Sequence, residues 1–135
     1  MPLEIVNGYR QLVAAAEQEI ETISVCDAIR LHGGDEMVFV DLRDVRELWR
    51  EGLIPGAFHC PRGMLEFWID PESPYAKPQF QTGNKIVFYC ASGWRSALSA
   101  KTAQEMGLKN VSHIDDGFGG WKKAGGPVGQ KPEKI

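Results

Sequence analysis

The sequence predicts an α/β domain with a mainly parallel central sheet flanked by helices, carrying an extra amphipathic helix at its N-terminus. Two runs, 37–40 (Met-Val-Phe-Val) and 86–89 (Ile-Val-Phe-Tyr), are continuously apolar and of strand length, which suits strands buried on both faces. Helix-period segments alternate with the strand-like ones, the pattern of βαβ units. Each apolar run also ends abruptly on a chemically active side chain, Asp41 and Cys90.

The elements follow in order. Ile5, Tyr9, Leu12, Val13, Ala16 and Ile20 recur at spacings of three and four, with Gln11, Glu17, Gln18, Glu19 and Glu21 on the other side, which predicts an amphipathic helix. Thr22 to Val25 is short and β-branched, an edge strand. Asp27 to Leu31 reads as a short helix closed by Gly33-Gly34. After the first apolar run, Asp44 to Arg50 is helical, with Asp44 and Glu47 spaced as an N-terminal capping box. Pro55-Gly56 is a turn, Ala57 to Cys60 a short strand, and Arg62 to Ile69 one or two helical turns. Residues 70–83 contain three prolines and no periodicity, so they read as a loop. Ser96 to Met106 is a helix with a small-residue face (Ala97, Ala100, Ala103) and a glycine stop at Gly107. Val111 to Ile114 is a last strand and Phe118 to Ala124 a last helix. The expected organisation is 1–21 as a helical extension, 22–128 as the domain, and 129–135 as a frayed tail.

At 135 residues, with 43% apolar and 24% charged residues, the chain has the profile of one globular domain able to bury its own core. The net charge of -3 and the absence of a Lys/Arg run argue against a nucleic-acid partner. No stretch is apolar enough to span a bilayer and the N-terminus lacks a secretory pattern, so a cytoplasmic location with no membrane partner is expected. The three cysteines, Cys26, Cys60 and Cys90, are odd in number and contain no Cys-x-x-Cys pair, which argues against zinc, a thioredoxin-like site or a disulfide framework.

Cys90 stands apart. Ligands of open parallel sheets sit at the carboxyl ends of strands. There, Cys90 is followed by Ala91, Ser92, Gly93, Trp94, Arg95 and Ser96 and then by helix. A tight strand-to-helix loop turns successive backbone N–H groups inward and, with the helix N-terminus behind them, makes a concave site for negative charge. Arg95 adds a permanently charged planar fork suited to oxyanions. A thiol in such surroundings ionises more readily than a free one. Asp41, Arg43 and Trp68 are supporting candidates: Asp41 and Arg43 bond to the loop or to each other, and Trp68 walls the pocket or fills the core. His59 reads as a satisfied half-buried histidine, His32 as solvated, and His113 as structural. Cys26 and Cys60 read as inert packing residues.

The segment Cys90-Ala-Ser-Gly-Trp-Arg-Ser96 resembles the active-site loop of single-domain rhodaneses, a family of sulfurtransferases. Residues 40–43 (Val-Asp-Leu-Arg) resemble that family's Asp-x-Arg at the end of its second strand, and 51–57 (Glu-Gly-Leu-Ile-Pro-Gly-Ala) resemble its Gly-x-Ile-Pro-Gly-Ala turn. Asp116-Gly117 through Trp121 resembles its Gly-Gly-x-x-x-Trp, with Asp116 in place of the first glycine, and Gly125-Gly-Pro-Val128 also fits. The resemblance covers roughly residues 22 to 128. It implies a rhodanese-like fold and ping-pong transfer of a sulfane sulfur. Cys90 would attack a donor such as thiosulfate or a persulfide. A Cys90 persulfide would form in a loop of amides from Ala91 to Ser96, and Arg95 would hold the donor oxyanion. Cyanide, a thiol or a protein would accept the sulfur, with neither metal nor cofactor involved. Two other functions compete. Phosphatases and arsenate reductases on this fold use Cys-x5-Arg loops, whereas Cys90 to Arg95 is Cys-x4-Arg, and one residue adds up to about 3.5 Å of contour. A non-turnover persulfide carrier or binding module is the other alternative.

Overall fold

A computed structural model describes residues 2–132. Among these, the elements run α1 (Tyr9–Glu19), β1 (Glu21–Ile23), α2 (Val25–Leu31), β2 (Met37–Asp41), α3 (Val45–Glu51), β3 (Phe58–His59), α4 (Leu65–Ile69), β4 (Lys85–Tyr89), α5 (Trp94–Met106), β5 (Val111–Ile114) and α6 (Gly117–Lys123). Short 3-10 turns occupy Arg62–Met64 and Pro78–Phe80.

All five strands pair in parallel, in the order β1-β5-β4-β2-β3. The two apolar runs are the central neighbours β4 and β2, in register from Met37 opposite Lys85 to Asp41 opposite Tyr89. That explains their unbroken hydrophobicity, since both faces are covered. On one face Val13 and Ala16 of α1 with Ile20 at its C-terminal cap, Leu65 and Ile69 of α4, and Ala97, Ala100 and Ala103 of α5 pack over Val40, Ile86, Phe88 and Val111. On the other, Val25 and Ala28 of α2 and Phe118 and Trp121 of α6 pack over Phe39, Val87, Tyr89 and Ile114. The alanine face of α5 brings that helix close to the sheet.

The topology fixes where chemistry can sit. The chain leaving β2 crosses to β3 on one side, while the chain leaving β4 crosses to β5 on the other. The crossovers therefore diverge between the carboxyl ends of β2 and β4. Such a switch point opens a crevice, and Asp41 and Cys90 stand on its two sides.

Boundaries moved where caps decided them. The α1 helix begins at Tyr9, so Ile5 lies ahead of it and is exposed. Ser24 caps α2 by accepting from the Asp27 N–H at 3.1 Å, so Val25 is helical rather than the end of β1. The α5 helix starts at Trp94, two residues earlier than the apolar pattern signals, because Gly93 takes the cap position. His32 is not solvated: its Nε2 pairs with the Pro55 carbonyl at 2.7 Å, and its ring meets Phe39 and Trp121 edge-on. The segment after α6 is tied down as far as Gly129. Trp121 Nε1 donates to the Pro127 carbonyl at 2.7 Å, and Leu53 and Gly129 exchange backbone bonds of 3.0 and 2.8 Å. The remainder of the expected frayed tail beyond residue 132 lies outside the described residues. Among the described residues no helix is long and apolar enough to cross a membrane.

Candidate active site

The site grows out of β4. Cys90 follows Tyr89 directly and is 1% exposed. Its Sγ accepts from the backbone N–H of Gly93 at 3.2 Å and of Ser96 at 3.4 Å. The Ser96 hydroxyl lies 3.7 Å from the same sulfur. Convergence of donors on one atom requires the peptide planes of the loop to be fixed, and the start of α6 fixes them. Phe118 N–H donates to the Cys90 carbonyl at 2.8 Å and Gly119 N–H to that of Ala91 at 3.1 Å, which holds those carbonyls away from the sulfur.

Two glycines make this closeness possible. At Gly93, φ is 101°, in the left-handed region, and a Cβ there would sit 2.0 Å from the Asp115 carbonyl oxygen. At Gly117, φ is 61° and a Cβ would meet the Cys90 carbonyl oxygen at 2.5 Å. The loop and the β5–α6 turn therefore interlock through bare backbone.

The remaining loop residues divide. Ala91 is half-buried and Ser92 exposed. Trp94 is 52% exposed and packs on Tyr9 of α1, ring centroids 4.8 Å apart. Arg95 turns its fork onto Glu47 of α3, with Nη1 and Nη2 at 2.9 and 3.1 Å from the two carboxylate oxygens. The hydrogen bonds that Arg95 donates to Glu47, and to a lesser degree the neighbouring Cys90, raise the guanidinium pKa above its ordinary value. Arg95 in turn holds the Glu47 carboxyl below the usual range.

Asp41 and Arg43 bond to each other. Arg43 Nε and Nη2 donate to the Asp41 carboxylate at 2.9 and 2.7 Å, Nη2 also reaches the Gly52 carbonyl at 2.8 Å, and both residues are 1% exposed. The Arg43 guanidinium lies 4.3 Å from the Phe118 ring centroid, so the pair braces α6 beneath the loop. Arg43 also lines a cleft of about 560 Å³ beside Ala91, together with Glu47, Arg50, Phe118 and Lys122. Trp68 is placed elsewhere: it packs on Phe58 and under the Lys77 ammonium, in the core layer of α1 and α5. The aromatic pattern in 61–83 could not distinguish core filling from pocket wall, and the core claims it.

Three features of the site escaped the sequence. Glu47 was legible as a cap partner, and its N–H acceptor role is real, since Asp44 N–H donates to it at 3.0 Å; its second task, gripping Arg95, was not legible. His113 lies fully buried with Nδ1 2.9 Å from the Ser96 hydroxyl. The available signal was its position two residues from Val111 on a strand whose inward face is otherwise apolar. Contact of α1 with the loop through Tyr9 had no signal in sequence.

The other cysteines stand apart from this cradle. Cys26 is exposed rather than packed, and Cys60 is buried with its thiol pushed up to about 12 by burial. A neutral buried thiol is a poor nucleophile. Cys26→Ala and Cys60→Ala are therefore expected to keep parental turnover in a sulfur-transfer assay. Cys60→Ala is expected to melt earlier, by a few degrees, because it loses a buried sulfur. A folded Cys60 variant that accumulated sulfur on Cys90 without releasing it would show that Cys60 is a resolving thiol.

Comparison with known proteins places the fold. A Rhodopseudomonas palustris protein of unknown function, described as a possible tyrosine phosphatase, superimposes with a TM-score of 0.92 at 59% identity, covering 95% of this chain and 98% of that one. The polysulfide-sulfur transferase homodimer of Wolinella succinogenes superimposes with a TM-score of 0.67 at 27% identity, over 91% of this chain and 88% of that one. The thiosulfate:glutathione sulfurtransferase of Saccharomyces cerevisiae is 30% identical over 114 residues, 79% of this chain and 81% of that one. The chain spans under two-thirds of the length of other curated relatives, 57% of one and 60% of another. The model of the rhodanese-like domain matches residues 25–124, from the first turn of α2 to the end of α6, and the chain belongs to the rhodanese-like domain family.

Proposed function

We propose that this chain is a sulfurtransferase that carries a sulfane sulfur as a persulfide on Cys90. The observation that carries the reading is the convergence of the Gly93 and Ser96 N–H groups on a single sulfur atom. These donors, at the N-terminus of a 13-residue helix, stabilise negative charge at that position without a metal. The Cys90 thiolate attacks the outer sulfur of thiosulfate. A new S–S bond forms, the donor's S–S bond breaks, and sulfite leaves with the electron pair. The anionic persulfide then occupies the loop, and an acceptor such as cyanide, a thiol or a protein removes its terminal sulfur.

The rim suits an anionic donor. Arg43, Arg50, Lys122 and Lys123 line the cleft beside Ala91 and outnumber the two carboxylates there, Glu47 and Glu51, and Arg95 pairs with Glu47. Donor binding would draw the Arg95 fork from Glu47 onto the sulfonate oxygens. Arg95→Lys keeps the charge but loses the fork. It is expected to lower kcat/KM for thiosulfate about tenfold, the scale of one charge-assisted hydrogen bond. The Arg95 side chain is 39% exposed in its pair with Glu47. Such a pair contributes at most about 1 kcal/mol, so the melting temperature should hardly move. Unchanged kcat/KM would show that Arg95 serves only Glu47.

The description of the R. palustris relative supplies the rival reading, a phosphatase. Phosphoryl transfer on this fold calls for a wider Cys-x5-Arg loop with the guanidinium on the phosphate; here the loop is one residue shorter and the fork is on a carboxylate. Intact-mass spectrometry after thiosulfate treatment, run beside hydrolysis of an aryl phosphate, separates the two. One added sulfur mapped to Cys90 supports sulfur transfer. Steady phosphate release with no sulfur uptake overturns it.

A further inference from the structure

His113 is a buried titratable group that the steps above do not use. Its ring nitrogens face two elements at once. Val111 and His113 point to the same face of β5, and Val111 packs in the layer formed by α1 and α5. On the α5 side Nδ1 lies 2.9 Å from the Ser96 hydroxyl, which itself lies 3.7 Å from the Cys90 sulfur. On the α1 side Nε2 has no hydrogen-bond partner among the described residues, although His113 is fully buried. The Glu17 carboxylate oxygen Oε2 lies 3.9 Å from Nε2. Glu17 follows Ala16 at the border of the buried stripe of α1, its side chain 43% exposed, and from there its carboxylate reaches toward His113.

We propose that Ser96, His113 and Glu17 form a proton relay for Cys90, and that α1, which lies outside the residues matched by the family model, supplies its outer member. The inference rests on Cys90 being the nucleophile. In the resting site the thiol donates to Ser96 Oγ, Ser96 O–H donates to His113 Nδ1, and the Nε2–H faces the Glu17 carboxylate. When Cys90 reacts, the S–H bond breaks and its proton passes to Ser96 Oγ, while the proton Ser96 held passes to Nδ1. Thiolate and imidazolium result, with Glu17 opposing the new positive charge. Ser96 then presents O–H, as well as its backbone N–H, to the anionic sulfur. After sulfite has left and the acceptor has taken the sulfur, the proton returns by the same path and restores the thiol. Cys90 and Ser96 touch the reacting atoms; His113 and Glu17 are positioning residues that act through Ser96.

The surroundings fit this assignment. Burial pushes the His113 imidazole below its usual range, which favours the neutral ring and works against the imidazolium, while the Asp115 carboxylate opposes that shift. The strand neighbours level with His113 are Thr22 on β1 and Phe88 on β4, neither of them charged. Glu17 and Asp115 are therefore the groups that would stabilise an imidazolium. Ser96 Oγ also lies 3.2 Å from the Gly93 carbonyl, an alternative acceptor for its proton. With Nδ1 carrying a hydrogen, the serine hydrogen is free for the sulfur or for that carbonyl.

The test is a double-mutant cycle on the full chain, with Glu17→Gln, His113→Asn and the two combined. The readout is the rate of Cys90 alkylation by iodoacetamide at neutral pH, followed by persulfide formation from thiosulfate. Glu17→Gln should slow alkylation by up to about fivefold, the reach of a partly exposed ion pair. His113→Asn keeps a polar atom near Ser96 but cannot take up a proton. It should slow alkylation about tenfold, less than is usual for a proton-transfer group because the two backbone donors remain. The combined variant should be no slower than His113→Asn alone. Unchanged rates in either single variant, or additive losses in the pair, overturn the relay. Imidazole-nitrogen NMR of the ¹⁵N-histidine-labelled wild type covers the case in which His113→Asn fails to fold. Blocking Cys90 should shift the His113 resonances, and Ser96→Ala should remove that response; a response that survives Ser96→Ala overturns the relay. A normal coupling between Glu17 and His113 in alkylation, with no persulfide in the wild type, would instead overturn sulfur transfer and leave the relay standing.

Discussion

Cys90→Ser is expected to reduce thiosulfate:cyanide sulfur transfer to background while leaving the fold and melting temperature close to parental. Serine keeps the shape of the side chain, and its Oγ can still accept from the Gly93 and Ser96 N–H groups that now donate to the thiol sulfur. No buried donor is stranded, so no large loss of stability follows. Chemistry is lost on two counts. A serine hydroxyl is scarcely ionised at neutral pH, whereas nucleophilic attack needs the anion. An oxygen in place of sulfur also cannot form the S–S bond on which the second half of the cycle depends. The measurements are steady-state turnover, intact mass after thiosulfate and thermal melting. Appreciable turnover by the folded variant would move the sulfur elsewhere. Cys60, buried and with its thiol pushed up to about 12, is a poor place for it.

Much of this arrangement was legible in the sequence, because its causes are local. Continuous apolar runs gave β2 and β4, and the Asp44/Glu47 spacing gave the start of α3, where the structure has Asp44 as the cap. The loop after Cys90 could be read as an anion cradle because small residues, a glycine and a following helix lie next to one another in the chain. What escaped depends on contacts between distant segments. Arg95 and Glu47 are 48 residues apart, and meet because α3 and α5 both begin at the crevice between β2 and β4. His113 reads as a structural histidine until the strand order places β5 beside β4 and brings α5 over it. The buried Asp41–Arg43 pair lay between, since its two members are adjacent enough to suggest pairing while the choice between pairing and loop contact needed the fold. Trp68 shows the converse failure: an aromatic side chain in an irregular segment carries no direction, and this one points into the core.

The α1 helix illustrates how a segment outside the family match becomes part of the site. Its apolar stripe of Val13, Ala16 and Ile20 is an ordinary packing signal and seats it on α5. Once seated, the side chains at the borders of the stripe have fixed neighbours. Tyr9 covers Trp94 of the loop after Cys90 and Glu17 reaches toward His113. Neither contact requires a motif of its own; both follow from the register in which the stripe docks.

Inserting one glycine between Gly93 and Trp94 is expected to slow persulfide formation by about a hundredfold or more. The insertion turns Cys-x4-Arg into Cys-x5-Arg. Neither end of the loop can absorb the extra residue freely. Upstream, β4 is held in register by β2 and β5. Downstream, Ala97, Ala100 and Ala103 pin α5 against the sheet. Gly93 is locked as well, with its backbone against the Asp115 carbonyl. The added chain must therefore bulge between Gly93 and the helix, which separates the Gly93 N–H from the Ser96 N–H that now converge on one sulfur at 3.2 and 3.4 Å. A hydrogen bond to a charged group contributes about 1.5–3 kcal/mol. Losing both raises the barrier by about 3 kcal/mol or more, which at 1.36 kcal/mol per decade is about a hundredfold or more in rate. A wider loop should bind inorganic phosphate or arsenate better at the same time, because donors spread over several ångströms suit an ion with several oxygens. The measurements are persulfide formation by intact mass and phosphate affinity by calorimetry, for parent and insertion variant, with thermal melting to establish that both are folded. Parental sulfur uptake in a folded insertion variant would mean that loop length does not select sulfur here, and the case for sulfur transfer over phosphoryl transfer would then rest on the chemistry of Cys90 alone.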